Sequence, residues 1–147
     1  MNIQQLRTEL EYDEGCVYEI YKDHLGYLTF GIGHLITPKD VEFEMNEGTA
    51  VSIERVTEVF ESDIQNVLSD CKSVFADLND LPEEAQLIIA NMMFNLGLTR
   101  FCKFKNMIKA INDKKWEKAA SEMKDSLWYA QVTNRAERLI KRMEQIK

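Results

Sequence analysis

The chain has 147 residues, 45% of them hydrophobic and 29% charged, and its formal charge is −7. That length fits one domain, or two small lobes on a shared core, and buries roughly two-thirds of the unfolded surface, so neither metal nor disulfides are needed for folding. The acidic balance argues against nucleic-acid binding, which needs clustered Lys and Arg, and offers no general attraction to other polyanions.

Two histidines without an HExxH segment leave no zinc site, and no metal or cofactor is implied. No stretch approaches the ~20 apolar residues of a membrane span, so no membrane partner is expected. The opening "MNIQQLRTELE" lacks the apolar core of a signal peptide, so synthesis in a cytoplasm is expected and work elsewhere would need another route. Cys16, Cys71 and Cys102 are odd in number with no CxxC pair, and read as reduced, partly buried thiols.

In chain order, Ile3, Leu6 and Leu10 fall at helical spacing over residues 2–12, and Gly15 is placed to end that helix. The period then changes. "CVYEIYKDHLGYLTFGIG" alternates Val17, Glu19 and Tyr21 with Tyr18 and Ile20, turns at Gly26, and returns through Tyr, Thr, Phe and Ile, which predicts a β-hairpin or small sheet. Residues 37–51, punctuated by Pro38 and Gly48, read as a loop-rich connection.

Ser52 can cap a long helix whose stripe is Val56, Val59, Phe60, Ile64, Val67, Leu68 and Cys71. "DLNDLPEEA" breaks it, with Pro82 at a first helical position. "AQLIIANMMFNLG" is apolar nearly all round, which marks a buried helix ended by Gly97. Further helices are predicted around Phe101–Ile111, around Trp116–Met123, and over "NRAERLIKRMEQI". The pattern predicts an α+β fold: a small sheet-bearing N-terminal lobe over about 13–55, a crossing helix over about 53–75, and a helical lobe over about 76–147 joined by helix 2–12. A cleft between such lobes is where ligand sites prefer to lie.

Glu14 sits where helix gives way to sheet, Asp23 in the hairpin turn and Thr29 on the returning strand. Two carboxylates flanking a gap suit glycosidic cleavage, one protonating the leaving oxygen and the other activating water that a hydroxyl helps to place. With 25 acidic residues in the chain the spacing alone is weak, and a solvated helix-end acid beside a turn acid is the competing reading.

The wording of the stretch adds to this. "DEGCVYEIYKDHLGYLTFGIGHL" resembles the catalytic segment of the T-even phage-type lysozymes, glycoside hydrolase family 24. "NMMFNLG", "WEKAASEM" and "SLWYAQVTNRAERLI" are similar to that family's central helix, its Trp/Ala-Ala helix and its Trp-Tyr-x-Gln-x-x-Asn-Arg-Ala signature. The resemblance spans almost the whole chain, in order.

It implies a lysozyme-like fold and hydrolysis of the β-1,4 bond between N-acetylmuramic acid and N-acetylglucosamine in bacterial peptidoglycan. Glu14 would be the general acid, with Asp23 and Thr29 holding the attacking water and an inverting outcome. Leu35, Phe94, Gly33 and Arg135 would serve substrate binding, although Leu35 and Phe94 taken alone read more readily as core, and Gly31 and Gly33 read equally as tight-turn residues. Arg135 would lie near Glu14, where a cation opposes the acid role unless it serves to orient the carboxylate. His34 and Asp63 would form a structural ion pair, and Trp128, Tyr129, Gln131 and Asn134 a wall around Arg135.

The resemblance further implies action on the bacterial wall by a monomer, unless the chain works within a tail or delivery assembly. Met107 and Glu122 depart from the small polar groups that touch substrate in relatives, the 37–51 connection is short, and few residues follow the last matched helix, from which reduced stability or external cover is expected. These departures and the acidic charge favour a competing class, a binding or regulatory protein that keeps the fold without the chemistry. An all-helical adaptor, with no sheet, is the third.

Overall fold

The computed structural model describes residues 1–147. It is mostly helical, with one three-stranded antiparallel sheet near the N-terminus, which excludes the all-helical adaptor. The chain divides into two units, Arg7–Asn66 and a second made of Met1–Leu6 with Val67–Lys147.

The first unit holds most of helix α1 (Ile3–Glu14), the strands β1 (Val17–Lys22), β2 (Leu28–Gly31) and β3 (His34–Leu35), and the first part of α2 (Ile53–Val74). The strands lie in the order β1-β2-β3, with Tyr21 opposite Thr29 and Thr29 opposite Leu35. The predicted hairpin thus carries a third strand of two residues. The simple alternation of β1 is interrupted by a register shift between Val17 and Tyr21, so only Ile20 of that strand is fully buried. Leu10, Ile20, Phe30, Val56, Phe60 and Ile64 are buried in this unit; each such side chain is worth about 1.5–3 kcal/mol over an exposed one. Ser52 caps α2, its Oγ accepting from the Arg55 N–H at 3.1 Å.

Residues 37–51 are not wholly loop. Val41–Glu44 forms a 3₁₀ turn, and Ala50 bridges to Glu19. The turn is held by an acid buried against a cation: Glu42 is enclosed, and the Arg55 guanidinium donates to it twice, at 2.9 and 3.0 Å. That bidentate pairing holds the Glu42 carboxyl below its usual range despite burial.

The second unit is built on α3 (Glu83–Leu96), buried without interruption from Ala85 to Met93. Pro82 precedes the helix rather than opening it, and Gly97, at φ +78, closes it. The segment predicted as one helix around Phe101–Ile111 is split into α4 (Leu98–Phe101) and α5 (Lys105–Asn112). Then come α6 (Trp116–Lys124), α7 (Leu127–Gln131) and α8 (Thr133–Glu144), with α8 packed on α3 and α6. Edge-to-face pairs Phe75–Phe101 and Phe104–Trp128, at 6.2 and 6.3 Å, tie the short helices in. Cys71 is buried, Cys16 partly so, and Cys102 exposed, all as free thiols; burial pushes the Cys71 thiol up to about 12.

Candidate active site

Helix α1 ends on Glu14 because Gly15 takes the left-handed conformation, φ +73, and returns its N–H to Glu11 O at 2.9 Å. The chain re-crosses this point nineteen residues after Glu14. Gly33, at φ +64, lies so close to Glu14 that a Cβ on it would stand 2.8 Å from both Cδ and Oε1 of the carboxyl. Gly31, at φ +65, does the same toward α2, where its Cβ would meet the Val56 methyls at 3.1 and 3.3 Å. The two glycines therefore set the β2–β3 turn against two different helices, one of them through the carboxyl of interest.

Asp23 follows the end of β1. Its Oδ1 accepts from the N–H groups of Leu25 and Tyr27, both at 2.9 Å, and its own N–H donates to Tyr27 O at 2.9 Å. This is the side-chain-capped turn that Asp favours, and Gly26 completes it at φ +88. One carboxylate oxygen is thus fixed by the backbone and Oδ2 is left over. Thr29 is buried, and its hydroxyl donates to the same Tyr27 carbonyl at 2.9 Å. With that hydrogen committed, Thr29 Oγ1 can only accept from a third group.

Directly opposed residues of an antiparallel sheet project from the same face, so Tyr21, Thr29 and Leu35 form one row. Leu35 is 49% exposed, so it is not part of the core. The Tyr21 phenol is held above its ordinary range by burial first, then by the charges of Glu14 and Asp23, both near enough to act on it. Tyr21 was not singled out in the sequence; its register opposite Thr29 was the available signal.

Phe94 and Arg135 belong to the second unit. Arg135, in the first turn of α8, is buried, and its Nε donates to Asn91 Oδ1 at 2.8 Å. One turn further along α3, Asn95 Oδ1 accepts from Trp128 Nε1 at 2.7 Å. Asn91 and Asn95 thus anchor the two large side chains of the "WYAQVTNRA" segment to one face of α3, a role that four-residue spacing permits and sequence reading passed over. Phe94, on the same helix, is half-buried, and so is Tyr129, whose hydroxyl is hydrogen-bonded to Glu137. Gln131 and Asn134 are exposed.

A family model for phage lysozymes matches residues 11–145. The chain belongs to the phage lysozyme family. A probable T4-type lysozyme of Dictyostelium discoideum is 33% identical, the match covering 94% of this chain and 92% of that one. The pre-baseplate central spike protein Gp5 of Enterobacteria phage T4 is 34% identical over 88% of this chain but only 26% of its own length. The peptidoglycan hydrolase gp36 of Pseudomonas phage phiKMV is 32% identical over 93% of this chain and 15% of its own. The small antiparallel sheet followed by helices is the α+β lysozyme-like fold of this family.

Two features set this chain apart from its sequence reading. Met107 is 0% exposed and cannot line an open surface, while Glu122 is half-buried and paired with Lys118 at 3.0 Å. The side chain of Met107 therefore fills core volume. His34 has two partners: Nδ1 lies 2.7 Å from Asp63 on α2, and Nε2 2.9 Å from Asp40, which also accepts from the Thr37 N–H at 2.8 Å. Asp40 was missed because it lies in the connection, whose course no periodicity reveals.

Burial pulls the His34 pKa down, but the hydrogen bonds and charges of Asp63 and Asp40 outweigh it, so the net shift is upward. Burial likewise opposes ionisation of Asp40, yet the Thr37 N–H and His34 bring its pKa below the ordinary value. His34 therefore contributes stability that is full below its unfolded pKa of about 6.5 and lost as pH rises through its raised folded value. Asp40 contributes above about 3.9 and loses its share as pH falls through its lowered value. His34→Asn is accordingly expected to cost about 1–3 kcal/mol near pH 5 to 6, and progressively less at alkaline pH. Thermal melts of both proteins across pH check this; a constant difference up to pH 9 would refute the charged-pair account.

Proposed function

We propose that this protein hydrolyses bacterial peptidoglycan, cleaving the β-1,4 bond between N-acetylmuramic acid and N-acetylglucosamine. Family membership carries the reading, together with the name of the phiKMV relative. The arrangement of Glu14, Asp23 and Thr29 supports it. Glu14 gives its proton to the glycosidic oxygen as the bond to the anomeric carbon breaks. A water donates one hydrogen to Thr29 Oγ1 and the other to Asp23 Oδ2. That leaves a lone pair directed at the anomeric carbon, and Asp23 takes the proton as the new bond forms. Tyr21, kept neutral, offers a phenol O–H in the field of both carboxylates. Leu35, exposed in the same row as Tyr21 and Thr29, presents apolar surface to a sugar ring.

The opposite-face attack by water makes the reaction inverting. Purified sacculi digested with the protein, reduced with borohydride and mapped by mass spectrometry are expected to yield new reduced muramic acid ends. Proton NMR of the first product is expected to show the α-anomer. New glucosamine ends or anhydromuramic products would overturn the bond assignment, and an initial β-anomer would overturn the inverting course.

A further inference from the structure

Around Glu42 the usual order of inside and outside is inverted. Glu42 is 5% exposed, while Val41 before it and Phe43 after it are 72% and 49% exposed. A chain settling its own stability would bury the two apolar side chains, because a buried ion pair gains little over packed apolar groups of the same volume. Such a reversal is the mark of residues kept for something other than the fold.

The inversion extends beyond these residues. Of the eleven large apolar side chains that are exposed, Val41, Phe43, Met45 and Ile53 fall within one stretch of thirteen residues. That stretch is tied down at both ends. The Arg55 guanidinium, which holds Glu42, also lies 3.0 Å from Glu58 and 3.5 Å from Asp40, pinning the 3₁₀ turn to the first turn of α2, where Ile53 opens the helix. Gly48 N–H donates to Ile20 O at 2.7 Å, and Val51 N–H to Tyr18 O at 2.9 Å, laying the end of the connection along β1. The apolar side chains are thus held outward by a fixed backbone, and an apolar patch rimmed by polar groups marks an interaction surface.

Charge selects the occupant. Residues 40–58 hold six acids and one cation, Arg55, which is engaged by Asp40, Glu42 and Glu58. Glu44, Glu47 and Glu54 are exposed and form no ion pair. The surrounding unit, residues 7–66, carries 4 Lys and Arg against 14 Asp and Glu, a net of −10. Anionic membranes and other polyanions are repelled by such a face, and a second copy presenting the same face meets like charge. Four side chains also fall short of the ~800 Å² per partner of a standard interface between folded proteins, which suits a segment and not a domain.

We infer that Val41, Phe43, Met45 and Ile53 form a docking surface for a cationic polypeptide segment. Its apolar side chains seat on these four residues, and its Lys or Arg side chains meet Glu44, Glu47 and Glu54. The inference is independent of the hydrolytic reading, since none of these residues belongs to the proposed catalytic group.

The probe that tests this is a synthetic Lys/Leu peptide patterned as an amphipathic helix. A Lys/Ser peptide of equal charge and a Glu/Leu peptide of equal apolar content serve as controls. Fluorescence anisotropy is expected to give the Lys/Leu peptide a Kd at least about tenfold below either control, weakening about fivefold between about 50 and about 300 mM salt. The Val41→Ser/Phe43→Ser/Ile53→Ser variant is expected to lose about tenfold in affinity. Glu44→Gln/Glu47→Gln/Glu54→Gln is expected to lose about fivefold and to flatten the salt dependence. Thermal melts show that both variants are folded. Amide chemical-shift mapping on the wild-type chain needs no variant, and the shifts are expected to centre on residues 40–58. Equal affinity for the Lys/Ser peptide would overturn the inference by reducing the surface to bare charge, as would shifts centred elsewhere. Self-association of the wild type that the apolar variant abolishes would make the occupant a second copy and overturn it likewise.

Discussion

Glu14→Gln is expected to lower the rate of peptidoglycan hydrolysis by about a hundred- to ten-thousandfold while leaving the melting temperature close to that of wild type. Gln is nearly isosteric with Glu but has no acidic proton, and a positioned proton donor contributes about 10²–10⁴ in rate. Glu14 closes α1 at a half-buried position, so the substitution opens no cavity. Clearance of permeabilised Gram-negative cells, with the reducing-end assay as control, reads the loss. Asp23→Asn is the useful companion, because its amide oxygen can still accept from the Leu25 and Tyr27 N–H groups that shape the turn. It therefore removes the proposed base and keeps the turn. Comparable activity in wild type and Glu14→Gln would place the acid elsewhere. Inertness of both, with muropeptide binding retained, would favour the competing class that keeps the fold and has lost the chemistry.

The parts of this molecule that could be read from sequence are those governed by local rules. The stripe on α2 and the all-round apolar α3 announce themselves by period, because burial of one face or of every face is written at 3.6-residue spacing. The ends of α1 and α3 are legible because Gly15 and Gly97 supply left-handed geometry that few other residues adopt. The Asp23 turn is legible for the same kind of reason, since Asp, Gly and a flanking alternation fix a hairpin locally.

What escaped depends on which segments meet in space. β3 is only two residues long, too short for a period. The phenol of Tyr21 takes its meaning from Thr29 across the sheet, and Asp40 takes its meaning from His34. Met107 looked like a substituted contact residue, but its helix turns it inward, where a flexible apolar side chain fills space. Gly33 is the sharpest case: its residue type allows a tight turn or a backbone approach to a sugar, and only the fold shows it packed against the Glu14 carboxyl.

Gly33→Ala is therefore expected to reduce hydrolysis by about a hundredfold at a stability cost of only about 1–2 kcal/mol. The added Cβ would lie 2.8 Å from Glu14 Cδ and Oε1, closer than real methyl contacts allow, so one partner has to move. The backbone of Gly33 is tied into a tight turn between β2 and β3, whereas the Glu14 carboxyl is the far end of a flexible side chain, so the carboxyl swings away. That motion leaves the packing of the turn in place, and forcing an L-residue into φ +64 adds a backbone cost of about 1–2 kcal/mol. It is costly for catalysis, where misplacing a reacting group by about 1 Å can lose about 10² in rate. Gly31→Ala supplies the contrast. Its φ of +65 imposes the same backbone penalty, but its Cβ presses on the Val56 methyls of α2 instead of on a carboxyl. Rates of cell clearance and thermal melts for the pair should separate accordingly, Gly33→Ala losing activity out of proportion to stability and Gly31→Ala the reverse. If the two variants lose activity equally for equal loss of Tm, the contact with Glu14 has no catalytic consequence and Gly33 serves the turn alone.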